Sequence, residues 1–169
     1  MYPQAKEYGQ HYHTYVITVN PEENIVEALE SQFQDSLGLL SSLDEEKQLY
    51  RYAPGKWSIR EMVGHMIDTE KVMAYRAMRI ARGDTTHLPG FEQDDYIATG
   101  EFDKRSMQDL LGEWSAVRQA SVAFVKSLSI EAAARMGTAS NTPVSARAII
   151  YIIAGHERHH MRILRERYL

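Results

Sequence analysis

The sequence of 169 residues contains no cysteine. Disulfide bonds, a cysteine nucleophile and thiolate ligands are therefore excluded, so any metal ion must be held mainly by histidine, aspartate or glutamate. Basic residues are not in excess either, since 19 lysines and arginines against 23 aspartates and glutamates give a net charge of -4. Binding to phosphate backbones or anionic lipid depends on basic residues, so we expect no nucleic-acid partner and no membrane association.

Long apolar runs are also missing. No stretch reaches the roughly 18 apolar residues that suggest a membrane span. Met1 to Gln10 lacks the basic end and apolar stretch of a secretory signal. We therefore expect a cytoplasmic protein. Apolar residues make up 44% of the chain and charged residues 25%, a composition that suits one domain with a sizeable core.

Four long segments carry apolar residues at helical spacing, and each begins with residues that cap helices. Ser58 and Glu61 have the spacing of a capping box, and Gly83 is suited to ending the helix that follows. The predicted fold class is all-α, a four-helix bundle. Its helices extend from Asn20-Pro21 to about Leu43, from Ser58 to about Arg82, from Ser106 to about Leu128, and from Thr142-Pro143 almost to Leu169.

Two segments lie outside these helices. Gly83 to Arg105 is the longest connection and contains several Gly and Pro breaks, so it is predicted to be a loop that crosses the molecule. Residues 1–20 are predicted to form an N-terminal arm, and residues 21–169 the bundle domain. His11 to Val19 alternates like a strand, but without a partner strand we expect an extended arm packed on the bundle. His11 and His13 are minor candidates for metal ligands.

The main functional signal is a pair of histidines in the fourth helix. His156 and His160 are one helical turn apart and share a face with isoleucines that point into the core, at positions Ile149, Ile152, Ile153 and Ile163. One isolated buried histidine usually hydrogen bonds to a neighbour. Two imidazoles this close compete for protons and hydrogen bonds, whereas a shared cation accepts both lone pairs. The pair therefore predicts a metal site.

A third ligand is predicted at His65 in the second helix. At about 1.5 Å per residue, His65 lies roughly 10 Å from the start of that helix, and His156 and His160 average about 13 Å from the end of theirs. The three are level only if the second and fourth helices are antiparallel. The second and third helices must then be parallel and joined by the long crossover, which gives an up-down-down-up bundle.

Polar residues beside His65 suggest further roles. Asp68 is a candidate for a fourth ligand or for a hydrogen-bond acceptor of a ligand. Arg76 is a candidate for binding a carboxylate or other anion of a substrate, although a surface arginine paired with an acid explains it equally well. Three neutral imidazoles leave coordination positions for water or substrate, which is typical of catalytic sites. The ion would then activate a water or an incoming thiol.

The segment from His156 to His160 also matches HExxH, the zinc metalloprotease signature, in which Glu157 would be the general base. Those enzymes usually take their third ligand downstream. Few residues follow His160 here, and Glu166 is the one acidic candidate among them. The protease interpretation is therefore weaker than the three-histidine site.

Two motifs resemble the DinB-like superfamily. They are Lys56-Trp57-Ser58 before a helix with Gly64-His65, and Gly155-His156-Glu157-Arg158-His159-His160 near the C-terminus. The resemblance covers about residues 22 to 167, and the segments from Asp68-Thr69-Glu70 to Leu88-Pro89-Gly90-Phe91 are similar to one branch of the family. It implies a four-helix bundle with a long crossover, the ligands His65, His156 and His160, and frequent homodimerisation. His159 would be a structural neighbour of these ligands or a hydrogen-bond partner.

The resemblance also implies a range of chemistry. Members act as thiol-dependent S-transferases, with bacillithiol, mycothiol or glutathione as the thiol, or as metal-dependent hydrolases. We therefore expect one divalent ion, zinc or nickel with manganese or iron as alternatives. We also expect a low-molecular-weight thiol cosubstrate and a small electrophilic substrate. Hydrolysis by water that the ion activates, and a non-catalytic metal-binding stress-response bundle, are the alternatives.

Overall fold

The computed structural model describes residues 1–169 and is mostly helical. It contains α1 (His13–Val16), α2 (Ile25–Ser41), α3 (Glu45–Gln48), α4 (Ile59–Ala81), α5 (Gln93–Gly100), α6 (Met107–Lys126), α7 (Ile130–Ala133), strands β1 (Met136–Ala139) and β2 (Thr142–Ser145), and α8 (Ala146–Ile163). A π-helical turn, Leu164–Tyr168, follows α8. The long helices α2, α4, α6 and α8 form the bundle, which confirms the predicted all-α class. None of the helices combines the length and apolar character needed to cross a bilayer.

Capping explains where these helices begin. Ser58 Oγ accepts a hydrogen bond from the Glu61 amide at 3.0 Å, and Glu61 Oε2 accepts one from the Ser58 amide at 2.8 Å, which is the predicted capping box. Gly83, with φ of 82°, follows the end of α4. The predicted start of the first helix at Asn20 is wrong, because Asn24 caps it by accepting from the Val26 amide at 3.0 Å.

The order and direction of the helices follow the predicted up-down-down-up arrangement. Trp57, just before α4, accepts a hydrogen bond from Tyr168 after the end of α8, so these two helices are antiparallel. Ser58 at the start of α4 hydrogen bonds to Asp103 just before α6, so α4 and α6 are parallel. The crossover Gly83 to Arg105 joins them. It is not all loop, since it contains α5 and a 3₁₀ turn, Phe102–Lys104, whose Ile97 and Phe102 are buried.

The segment before α8 also differs from the prediction. Thr142 and Pro143 do not begin the helix but lie in β2, which pairs antiparallel with β1. Ser140 and Asn141 connect the strands with φ of 51° and 60°, the positive values that a two-residue hairpin turn requires. The helix begins after Ser145, whose Oγ accepts from the Ala148 amide at 3.0 Å.

The N-terminal arm packs on the bundle, as expected, but it is not extended. Two 3₁₀ turns, Ala5–Glu7 and Gln10–Tyr12, precede α1. These turns satisfy backbone groups locally, where a lone strand would leave them without partners. Val16 and Val19 are fully buried against the bundle, so apolar burial fixes the position of the arm.

A layer of polar side chains divides the core into two apolar clusters. One cluster contains the second half of α4 and the first half of α8, and the other contains the first half of α4 and the residues after His160. Between them lie the buried polar residues His65, Thr69, Glu70, Arg118, His156 and Glu157. Because buried polar groups need partners, this layer is where specific chemistry is expected.

Candidate metal centre

The three predicted histidines meet inside the bundle. His156 Nε2 lies 3.0 Å from His65 Nε2 and 3.0 Å from His160 Nε2. One ring nitrogen offers a single lone pair or a single proton, so His156 Nε2 cannot form a good hydrogen bond with both neighbours. A cation shared by the three rings would satisfy all of them.

The spacing of the nitrogens suits one ion. At about 2.1 Å from each nitrogen, an ion separates two ligands by about 3.0 to 3.4 Å and by at most about 4.2 Å. The two pairs at His156 fall at the lower end of this range. All three ligand atoms lie within 4.8 Å of one another, so the third pair exceeds the limit by at most about 0.6 Å, a shift within reach of side-chain rotation. The donor set, three imidazoles and no thiolate, suits zinc, nickel, manganese or iron.

Burial keeps these imidazoles uncharged. His65 is 5% exposed and His156 is 7% exposed. Burial, with a smaller effect from nearby His159, lowers the pKa of His65 to about 4. Burial and the neighbouring histidines lower the pKa of His156 and His160 well below the ordinary value. Neutral rings have lone pairs available for a metal ion.

A glycine directly precedes a histidine of the site in both α4 and α8, and each glycine allows another segment of the chain to approach closely. A Cβ on Gly64 would overlap the Phe102 ring of the crossover, and a Cβ on Gly155 would overlap the Tyr15 carbonyl oxygen of α1. The arm therefore covers one side of the site, with the Tyr15 ring 5.5 Å from the His156 ring. No sequence motif marks Tyr15, because its contact with His156 depends on how the arm folds.

Two side chains orient His65. The Trp57 ring lies over it with 4.8 Å between ring centroids. Thr69 Oγ1 is 3.5 Å from His65 Nδ1. An ion bound at Nε2 would require the proton to be on Nδ1, with Thr69 Oγ1 as its acceptor, an arrangement that fixes the tautomer and direction of a metal-ligating histidine.

Glu157 is committed to structure and has no free oxygen for catalysis. Oε1 accepts from Ser36 Oγ at 2.7 Å, and Oε2 accepts from Arg118 Nη1 at 2.8 Å and from Gln32. Glu70 is the second carboxylate on Arg118, at 2.9 Å. This arrangement contradicts the protease interpretation, which needs Glu157 as a free general base.

The other candidate residues lie outside the histidine group. Asp68 is 3.6 Å from Lys71, and burial raises its pKa. Arg76 is eleven residues beyond His65, about 16 Å along the helix, and its side chain hydrogen bonds to Pro89 and Ser140. His159 is adjacent, with its ring 5.2 Å from that of His160.

The remaining candidate residues also lie outside the histidine group. In the N-terminal arm, His13 contacts Tyr8 at 3.3 Å and His11 packs on Tyr12. Glu166 pairs with Arg162 on the outer side of the last turn. None of these residues belongs to the group of potential ligands.

A cavity of about 320 Å³ leads from the surface to His160. Its walls include the aromatic side chains of Tyr52, Trp57 and Tyr168. Lys56, and Gln93 and Asp94 from the start of α5, also line it. His160 is the one of the three histidines that lines this cavity.

Comparisons with known proteins agree with the fold. The model of the DinB superfamily matches residues 28–164. The structure is similar to that of YfiT from Bacillus subtilis, which is described as a probable metal-dependent hydrolase with an unusual four-helix bundle topology. The TM-score is 0.73 at 13% identity, and the similarity covers 88% of this chain and 93% of YfiT. No curated protein sequence matches the chain.

Proposed function

Since this chain belongs to the DinB superfamily, we propose that it is a metal-dependent enzyme whose ion is held by His65, His156 and His160. The observation that carries the proposal is the single point, buried between two helices, toward which three uncharged imidazole nitrogens are directed. A divalent ion there would act as a Lewis acid, lowering the pKa of a water or thiol that enters the site. The cavity at His160 supplies the route of entry.

The reaction we propose is transfer of a small thiol to an electrophilic molecule. The chain has no cysteine, so a sulfur nucleophile must be supplied by a cosubstrate. The ligand group also contains no carboxylate. Neutral ligands leave the full positive charge of the ion to favour the anionic form of a nucleophile. In the reaction, the thiolate sulfur bonds to the electrophilic carbon and the leaving group departs with the electron pair of the broken bond.

The walls of the cavity are suited to holding such a substrate. Tyr52, Trp57 and Tyr168 offer ring surfaces to an apolar body, and Lys56 places a positive charge where a leaving group or an acidic thiol would lie. Trp57 also packs on His65, so it excludes water from one side of the histidines. Bacillithiol, mycothiol and glutathione are the thiols to test first.

Hydrolysis is the second candidate. Two observations favour it: the description of YfiT as a probable metal-dependent hydrolase, and Asp94, a carboxylate in the same cavity as His160. In that reaction Asp94 would accept the proton of the water, a role that Glu157 cannot take. Zinc, nickel, manganese and iron are all compatible with either reaction.

The two reactions differ in what they consume. Metal-loaded protein should be mixed with 1-chloro-2,4-dinitrobenzene or p-nitrophenyl acetate, without thiol and with bacillithiol, mycothiol or glutathione in turn. A transferase consumes thiol and electrophile in equal amounts and is inactive without thiol, whereas a hydrolase releases nitrophenol without thiol. His160→Ala should abolish either activity and His87→Ala, at an exposed histidine, should not. If neither reaction occurs with any of the four metals and three thiols, the proposed enzyme function is wrong.

A further inference from the structure

A second cavity lies between α4 and the crossover, far from the histidines. Its volume is about 330 Å³, and its walls include Val72, Tyr75 and Arg76 of α4 and Pro89, Phe91 and Tyr96 of the crossover. Arg76 is about 16 Å from His65 along the helix. The two cavities share no wall residue, although Asp94 and Tyr96 of α5 border one each, so they are separate cavities.

Arg76 differs from the other buried arginines. Three arginines are almost fully buried: Arg60, Arg76 and Arg118. Arg60 pairs with Glu45 at 3.3 Å, and Arg118 pairs with two carboxylates. Arg76 is 2% exposed, and no carboxylate is among the partners of its guanidinium. It is the one buried arginine whose charge no carboxylate neutralises.

The neutral partners of Arg76 leave its charge uncompensated. Nη2 donates to the Pro89 carbonyl at 2.5 Å and to Ser140 Oγ at 3.0 Å, and Nη1 lies 3.7 Å from Met73 Sδ. Nε of Arg76 makes no hydrogen bond. The one fully buried side-chain nitrogen or oxygen atom without a partner is Ser121 Oγ. Nε of Arg76 is therefore not fully buried and is accessible to a ligand. Burial of an unpaired charge is costly, so the site favours an anion that brings the missing negative charge.

Apart from Arg76 and Lys71, the walls of the cavity are aromatic and aliphatic. The Arg76 guanidinium lies over the Phe91 ring at 5.6 Å, and the Phe91 and Tyr96 rings are 5.3 Å apart. Lys71, at the edge, already pairs with Glu113 and Asp68. The cavity therefore offers one uncompensated positive charge beside aromatic and aliphatic surface.

We propose that this cavity binds a small organic monocarboxylate, with its carboxylate at Arg76 and its apolar body against Phe91, Tyr96 and Val72. One negative charge matches the single free positive charge, whereas a phosphate dianion would bring an excess and has no apolar part to fill the cavity. The volume accommodates a ligand of the size of phenylacetate. The site stands on its own residues and does not depend on the metal or on the proposed enzyme function.

Phenylacetate is a suitable probe. The protein of residues 1–169, freed of metal with a chelator, should be titrated and followed by amide NMR, with phenylacetamide and inorganic phosphate as comparison ligands. We expect saturable shifts centred on Phe91 and Tyr96 with phenylacetate. Binding of the neutral amide and of phosphate should be at least about tenfold weaker, since each lacks one of the two features the site offers.

Two variants separate the cavity from the rest of the fold. Arg76→Met removes the charge, but it also removes the hydrogen bonds to Pro89 and Ser140 and can disturb the crossover. Val72→Phe, which fills the cavity and keeps Arg76, is therefore the decisive variant. Both should lose at least about tenfold in phenylacetate affinity, and Arg82→Met, at an exposed arginine, should bind as the wild type does. Absence of saturable binding, equal binding of phenylacetamide, or wild-type affinity in Val72→Phe would each overturn the proposal.

Discussion

Glu157 and Arg118 form an ion pair in the middle of the bundle, with 2.8 Å between Oε2 and Nη1. Glu70 binds the same guanidinium, and both carboxylates are buried. Two carboxylates against one guanidinium leave one net negative charge next to His156. Burial alone would lower the pKa of Arg118, but Glu157 and Glu70 raise it, so the arginine stays charged. A cation at the histidines would be attracted by this charge.

Glu157→Gln should destabilise the protein. The amide keeps the shape of the side chain, but its NH2 group replaces an oxygen that accepts hydrogen bonds, so Ser36 or Arg118 loses a buried acceptor, a change that typically costs about 1 to 3 kcal/mol of unfolding free energy. Chemical denaturation of the metal-free protein measures this. Glu166→Gln, at the exposed acid of the last turn, should change stability by less than about 0.5 kcal/mol. A Glu157→Gln variant as stable as the wild type would contradict the structural role of Glu157.

Gly155→Ala should displace the N-terminal arm. The added methyl group would overlap the Tyr15 carbonyl oxygen, and this backbone atom has little freedom to move away, so a loss of about 1 to 3 kcal/mol is expected. Hydrogen exchange of residues 13–19 should become faster. Gly112→Ala is the matched control, because it lies in α6 with open space around it and alanine favours a helix. Equal exchange rates in Gly155→Ala and wild type would show that the close contact is unimportant.

Acid should weaken the attachment of the N-terminal arm to the bundle, because protonation removes the charge of Glu7. Burial would raise the pKa of Glu7, but hydrogen bonds from Arg147 and Ser145 outweigh it and lower the pKa below its ordinary value of 4.5. A lowered carboxyl pKa stabilises the fold fully above the unfolded value and loses this contribution as the pH falls through the folded value. The stability difference between wild type and Glu7→Gln should therefore be about 1 to 3 kcal/mol near neutral pH and shrink below pH 4.5.

Denaturation curves at several pH values measure this difference. Glu46→Gln, at an exposed acid in α3, is the control and should follow the wild-type profile. A difference between wild type and Glu7→Gln that stays constant with pH would contradict the role of the Glu7 ion pair.

The sequence predicted those parts of the fold that depend on local chemistry and simple geometry. Ser58 and Glu61 specify the start of α4 by themselves. His65, His156 and His160 lie at the same height in the bundle only if the second and fourth predicted helices are antiparallel. This condition predicted the up-down-down-up order. Helical periodicity gives both the face of a residue and its height along the axis, so this inference needed no tertiary information.

The errors arose where distant contacts decide the local structure. Thr142 and Pro143 were predicted to begin a helix, but they lie in β2. Ser140 and Asn141 adopt positive φ and form the turn of a hairpin. Asn141 was a weak signal for that turn. The contact of Tyr15 with His156, and the isolation of Arg76 from carboxylates, depend on how separate segments pack. No spacing within one helix reveals them.

The central claim is that His65, His156 and His160 hold one ion, and metal binding by untagged, chelator-treated protein tests it most directly. After equilibrium dialysis against micromolar zinc or nickel, elemental analysis should find about one ion per chain in the wild type and in His87→Ala. His65→Ala and His156→Ala should retain almost none, because each removes one of three ligands. If the wild type binds neither metal, or if His65→Ala retains one ion per chain, the three histidines do not form a metal centre.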